Sequence, residues 1–224
     1  IGKPVLDFLD QKIDIAIIEL SSFQIEASSR LESEIGILLN IKEDHIDRHK
    51  SFEIYKSLKL RVLRESNINI SKLENKIAGK EFYDYEDYFP EPHILNNPAL
   101  KKWPMHDVFN LKASLLALKL ILEEKENLKI YDVNDFLDKA IGVFASFEKQ
   151  PHRYEVLGKV NDVTYVNDSK ATNFDATLKS IESSRYLNKE GNIYLICGGD
   201  LKEQSLSKEN AVIFKEIKKC FIYG

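Results

Sequence analysis

Two short apolar runs, Ile13–Leu20 and Ile35–Ile41, are each closed by a polar cluster, and this pattern constrains the fold more than any other feature. Continuous apolar runs of this length are what strands buried on both faces of a parallel sheet show. Helix-compatible stretches follow at Ser21–Leu31 and Ser51–Glu65, the second with Phe52, Tyr55, Leu58 and Val62 at helical spacing and Ser51 placed to cap it. Strands alternating with helices predict an α/β fold with a mostly parallel sheet. Residues Lys3–Asp10 read as the end of a helix, and Asn67–Trp103 breaks into short pieces that read as a small irregular β excursion. Helices are expected over His106–Glu124 and Val133–Phe147, a hairpin over Tyr154–Asn167 turning at Val160-Asn161-Asp162, and a helix over Thr177–Tyr186. Ile193–Cys197 and Cys220–Tyr223 read as further strands. A boundary near Gln150–Pro151 gives a first unit over 1–150 and a second over 151–224 that opens a βαβ pattern.

Composition narrows the function classes. With 224 residues, 43% hydrophobic and 30% charged, the chain has the makeup of a soluble globular protein with a real core. A net charge of −4 offers no basic field, so a nucleic-acid partner is disfavoured. Neither apolar run approaches the ~20 residues that span a bilayer, so no membrane insertion is expected. Cys197 and Cys220 both sit in apolar runs and read as buried free thiols of a reducing compartment rather than a disulfide.

The polar clusters lie where strands end, and in open α/β sheets ligands bind beyond the carboxyl ends of strands. Glu19-Leu20-Ser21-Ser22-Phe23-Gln24 closes the first run, although Ser21 or Ser22 could equally cap the next helix. Asn40 through Arg48 closes the second, where Glu43, Asp44, His45 and Asp47 could hold a cation or form a solvated loop. Lys59 follows on the next helix, His106-Asp107-Val108-Phe109-Asn110 opens another, and Pro151-His152-Arg153 precedes the dense Asp168-Ser169-Lys170-Ala171-Thr172-Asn173. Gly198-Gly199-Asp200-Leu201-Lys202 allows close backbone approach and a cation for an anion. None of the nine glycines begins a G-x-x-x-x-G-K-[ST] phosphate loop, and no cysteine pair has zinc-site spacing.

Taken in this order, E-L-S-S-F-Q at 19–24, N-x-x-x-D-H-x-D-R at 40–48 and D-S-K-A-T-N at 168–173 resemble the Mur ligases of bacterial peptidoglycan synthesis, and the likeness runs the length of the chain. The resemblance implies a central ATPase-type domain with a mostly parallel sheet, lacking its phosphate-loop start, plus the beginning of a Rossmann-like C-terminal domain. It therefore implies an internal piece of a longer enzyme, inactive alone, so that the 224-residue chain is expected to release no phosphate from ATP. The implied activity is ATP-dependent amide-bond formation adding D-glutamate to UDP-N-acetylmuramoyl-L-alanine through an acyl phosphate, in a cytoplasmic monomer.

On the same resemblance, Glu19, His45 and Lys59 match Mg²⁺ ligands, with Asp44 alongside and Lys59 carrying a CO₂-derived carbamate. His45, Lys59 and Lys170 are the implied catalytic residues. Asn110 and Asp107 match the adenine contacts, Asp107 standing where the family more usually has Asn and so lacking an amide donor. His152 and Arg153 match the segment reaching the nucleotide, and Asp168 the ribose carboxylate. Thr172 and Lys202 match residues near D-glutamate, while Ser21, Ser22 and Gln24 match the muramoyl side. Two alternatives stay open: a degenerate nucleotide-binding module without catalysis, and a sister ligase adding another amino acid.

Overall fold

The computed structural model describes residues 4–88, 97–100, 103–125, 133–199 and 212–223. After a 3-10 turn at Val5–Phe8, helix α1 (Ser22–Ala27) leads into strand β1 (Ser33–Leu38). Helices α2 (Ile46–His49), α3 (Phe52–Lys59) and α4 (Arg61–Arg64) carry the chain back to β2 (Ser66–Ser71). β2 runs parallel to β1, with Ile35 opposite Ile68 and Ile37 opposite Ile70, as a helical crossover requires. β3 (Glu81–Asp84) adds parallel to the other side of β2, giving the order β1-β2-β3, and α5 (Tyr85–Tyr88) follows. The α/β class with a parallel sheet is thus borne out.

Close approach of helix to sheet depends on Gly36, because a Cβ there would stand 2.3 Å from the Val62 carbonyl oxygen and 2.5 Å from Ser66 Oγ. Helix α3 begins at the expected cap, Ser51 Oγ accepting from Ile54 N at 3.3 Å. On the other side of the sheet lie α6 (Met105–Lys125) and α7 (Val133–Ala145). Leu111, Leu115, Leu116 and Ile141 join Ile68 and Ile70 in one core cluster. That cluster and the apolar groups packed on it draw only on residues from Ile35 to Phe144.

The hairpin β4 (Glu155–Val160) and β5 (Val163–Asn167) is antiparallel. Its turn forms at Asn161-Asp162, both at positive φ, as a two-residue turn matching the strand twist requires. Helix α8 (Phe174–Leu187) then leads to the parallel pair β6 (Ile193–Gly198) and β7 (Ile217–Tyr223).

Three expectations are corrected. Ile13–Leu20 is not a strand: it has no regular structure, and Ile17 is 92% exposed. An apolar run becomes a strand only against a neighbour, and among the described residues none pairs along it. The Asn67–Trp103 region is no irregular excursion, because it begins with the central strand of the sheet. Its sequence disguises this, since Ser66, Asn69 and Ser71 are buried polar residues: Ser66 Oγ donates to Asn69 Oδ1 at 2.6 Å and Ser71 Oγ to the Leu38 carbonyl at 2.6 Å, while Asn69 Nδ2 finds no partner among the described residues. Finally, Cys220 is exposed and Cys197 only partly buried, on strands that form a two-stranded sheet among the described residues.

Candidate functional site

The residues singled out at 19–24 serve two kinds of partner. Ser21 is the N-cap of α1 in a reciprocal capping box, Gln24 N donating to Ser21 Oγ at 3.3 Å while Ser21 N donates to Gln24 Oε1 at 2.8 Å. Ser22 is buried, and its hydroxyl shares a 3.0 Å hydrogen bond with His49 Nε2. His49 is itself buried, with its ring 5.5 Å from both Phe23 and Tyr55, and its Nδ1 has no partner among the described residues. Nothing in the D-H-x-D-R pattern marked it. Its signal was only an aromatic-sized residue one turn after His45.

His45 sits at the start of α2 in the left-handed backbone region, φ 53°, where a non-glycine residue is uncommon. Its backbone N donates to Asp44 Oδ1 at 2.9 Å, and its ring packs edge-on to Phe23 at 5.0 Å. Lys59 ends α3. Burial pushes its ammonium below the ordinary lysine range, and the opposing pull of Glu19 and Asp44 does not fully restore it. A partly desolvated lysine held near two carboxylates is therefore the electrostatic centre of this end of the sheet. Among the described residues, no group of three or more His, Cys, Asp or Glu side chains is placed to hold a metal ion.

Asn173, in the segment that follows the hairpin, reaches this centre. Asn173 caps α8, its Oδ1 accepting from Ala176 N at 2.9 Å, and its Nδ2 donates to Asp44 Oδ2 at 3.2 Å. The loop before it is held by His152, whose carbonyl accepts from Lys170 N at 3.1 Å and whose Nδ1 accepts from Asn167 Nδ2 at 2.8 Å. Asp168 accepts from Tyr154 N at 2.9 Å and from the Ser180 hydroxyl, so both its oxygens hold the hairpin and α8 in place. Arg153, Lys170 and Thr172 are exposed. Lys202 lies outside the described residues.

At the start of α6, Asn110 is exposed and Asp107 forms an ion pair with Lys149. His106 stands 3.5 Å from Asp107 and shares a 3.2 Å hydrogen bond with Ser183 Oγ of α8. Burial holds the His106 imidazole below its usual range. Lys149 was not among the sequence candidates for a site, having no motif, and Asn173 stood inside the D-S-K-A-T-N cluster without a role of its own.

The comparisons bear the sequence resemblance out: residues 2–84 match the model of the Mur ligase middle domain. Two relatives carry the likeness over the whole chain. The UDP-N-acetylmuramoylalanine--D-glutamate ligase of Buchnera aphidicola subsp. Acyrthosiphon pisum (strain Tuc7) is 32% identical over 250 residues, covering 100% of this chain and 53% of that protein. The protein of the same name from Francisella tularensis subsp. tularensis (strain WY96-3418) is 29% identical over 229 residues, covering 100% of this chain and 51% of that protein. The chain thus spans about half the length of the curated relatives it matches. No helix among the described residues is long and apolar enough to cross a membrane.

Proposed function

We propose that this chain is the central part of an ATP-dependent Mur ligase that joins D-glutamate to UDP-N-acetylmuramoyl-L-alanine, with a first unit over 1–150 and a second over 151–224. The observation that carries the reading is the setting of Lys59, desolvated beside Glu19 and Asp44, with Asp44 bonded to Asn173 of the D-S-K-A-T-N segment. Motifs that lie 129 residues apart in sequence thereby meet at one place. The names of the relatives supply the substrates.

Phosphoryl transfer depends on positioning and on neutralising phosphate charge, which Mg²⁺ supplies when bound with ATP. Glu19, His45 and a carbamate on Lys59 would hold it, with Asp44 alongside. The donor chemistry fits: the side chains as they stand offer carboxylates without a full cage, and Lys59 can complete it. Burial favours its neutral amine, which adds to CO₂ to form an N–C bond with loss of a proton. An anionic oxygen donor then stands where a cation stood, and oxygen donors are what Mg²⁺ takes.

Asn110 and Asp107 would face adenine, with Lys149 balancing the Asp107 charge. His152 and Arg153 would reach the nucleotide from the second unit. Asp168 would meet the ribose with the lone pairs left over from Tyr154 and Ser180. Lys170 would neutralise the transferred group, Thr172 and Lys202 would take the D-glutamate carboxylate, and Ser21, Ser22 and Gln24 would border the muramoyl substrate.

The test is phosphate release from ATP by the protein that contains this chain. Release is expected to require both UDP-N-acetylmuramoyl-L-alanine and D-glutamate, and Lys59→Ala should lower kcat by two orders of magnitude or more, roughly the effect of removing one charge-stabilising group. Release indifferent to D-glutamate, or to Lys59→Ala, overturns the reading.

A further inference from the structure

The two cysteines of the chain, Cys197 and Cys220, are a spatial pair. β6 and β7 run parallel, with Cys220 opposite Leu195 and Cys197 opposite Ile222. Side chains alternate along a strand, so Leu195 and Cys197 share a face, and Cys220, opposite Leu195, shares it too. The two sulfurs lie 3.7 Å apart, both reduced. Cys220 is exposed, whereas Cys197 is partly buried, and burial together with the neighbouring thiol pushes the Cys197 thiol up. One thiol therefore faces solvent-borne oxidants and the other stands behind it as a resolving group.

We propose that Cys197 and Cys220 form a modification site at which a peroxide oxidant links the two thiols in a reversible disulfide. This rests on no part of the ligase reading. The Cys220 thiolate attacks one oxygen of hydrogen peroxide, the O–O bond breaks and hydroxide leaves, giving a sulfenic acid. The Cys197 sulfur then attacks the Cys220 sulfur, the S–S bond forms, and the S–O bond breaks with loss of water. Two thiols and one peroxide become one disulfide and two waters, the sulfurs losing the two electrons that the peroxide oxygens gain.

Reversibility follows from the register. A two-residue offset across strands about 4.8 Å apart, at a rise of roughly 3.3 Å per residue, places the α-carbons about 8 Å apart, beyond the ~7 Å that a disulfide spans without backbone movement. Closing the bond draws the strands together. The ladder is already irregular between Ile193 and Tyr194. Strained, exposed disulfides are the easily reduced ones.

The experiment treats the reduced chain with one equivalent of hydrogen peroxide, traps remaining thiols with N-ethylmaleimide and measures the intact mass. The expected product has lost two hydrogens, carries no maleimide, and returns to two maleimides after dithiothreitol. Its formation should be faster in the folded chain than in urea by a factor on the order of ten or more, the gain from holding the sulfurs together. Cys197→Ser should stop at a product with one added oxygen. Two alkylatable thiols after peroxide, oxygen addition to both cysteines of the unaltered chain, or equal rates in urea would each overturn the proposal.

Discussion

Replacing Asn173 tests whether the two units are joined where the candidate site lies. Asn173→Ala removes two things: the cap on Ala176 N and the bond to Asp44. Loss of an Asn cap costs about 1 kcal/mol. A hydrogen bond to a charged acceptor contributes about 1.5–3 kcal/mol. The Asp44 side chain is 16% exposed and the contact is 3.2 Å long, which argues for the lower end. The sum is about 2.5 kcal/mol, roughly sixtyfold in the folding equilibrium constant. Asn173→Ser keeps a capping oxygen but cannot reach Asp44, so it should lose only about 1.5 kcal/mol. Urea denaturation separates the effects, with far-UV circular dichroism reporting both units and the single Trp103, packed on the first unit's core, reporting that unit. A double-mutant cycle with Asp44→Ala should return a coupling near 1.5 kcal/mol, well outside the ~0.3–0.5 kcal/mol scatter of independent sites. Coupling within that scatter, or a Ser variant as unstable as the Ala variant, refutes the argument.

Three further outcomes are expected. Gly36→Ala forces a methyl into the Val62 carbonyl and Ser66, and should lower the urea midpoint by the equivalent of about 1–3 kcal/mol. Ser22→Ala strips His49 of its recorded partner and should cost about 1–3 kcal/mol by the same measurement. The double variant Ser22→Ala/His49→Phe should recover most of it, since the ring already packs between Phe23 and Tyr55. His106 has a folded-state pKa below its unfolded value near ~6.5, so its contribution is fully present above that pH and is lost as pH falls through the folded value. A His106→Gln chain should show a flatter midpoint-against-pH curve over that window, and an unchanged curve would count against this role for burial.

What could be read from the sequence was what is local. The Ser51 cap, the long helix beginning near His106 and the hairpin turn at Asn161-Asp162 each follow from a few neighbouring residues. What failed depended on distant partners. Ile13–Leu20 had the composition of a buried strand and, among the described residues, no strand beside it, while Ser66–Ser71 looked polar although Ser66 donates to Asn69 and Ser71 to the Leu38 carbonyl inside the sheet. Lys59 was singled out through the family resemblance, but its desolvation was not legible, because burial is a property of surroundings. The Asp44–Asn173 contact spans 129 residues and leaves no local trace, and His49 differs from an ordinary loop histidine only once Ser22 is beside it.

Arg61 ties these parts into one moving body. Its guanidinium donates to the carbonyls of Ile25, Ser28 and Ser29 at 2.6, 3.0 and 3.3 Å, and to Glu65, which also receives Leu31 N at 2.9 Å. The chain leaving α1 is thus strapped to α4, two residues beyond Lys59. A set of side-chain hydrogen bonds therefore fixes the spacing between the C-terminal end of α1 and the helical turn that follows Lys59.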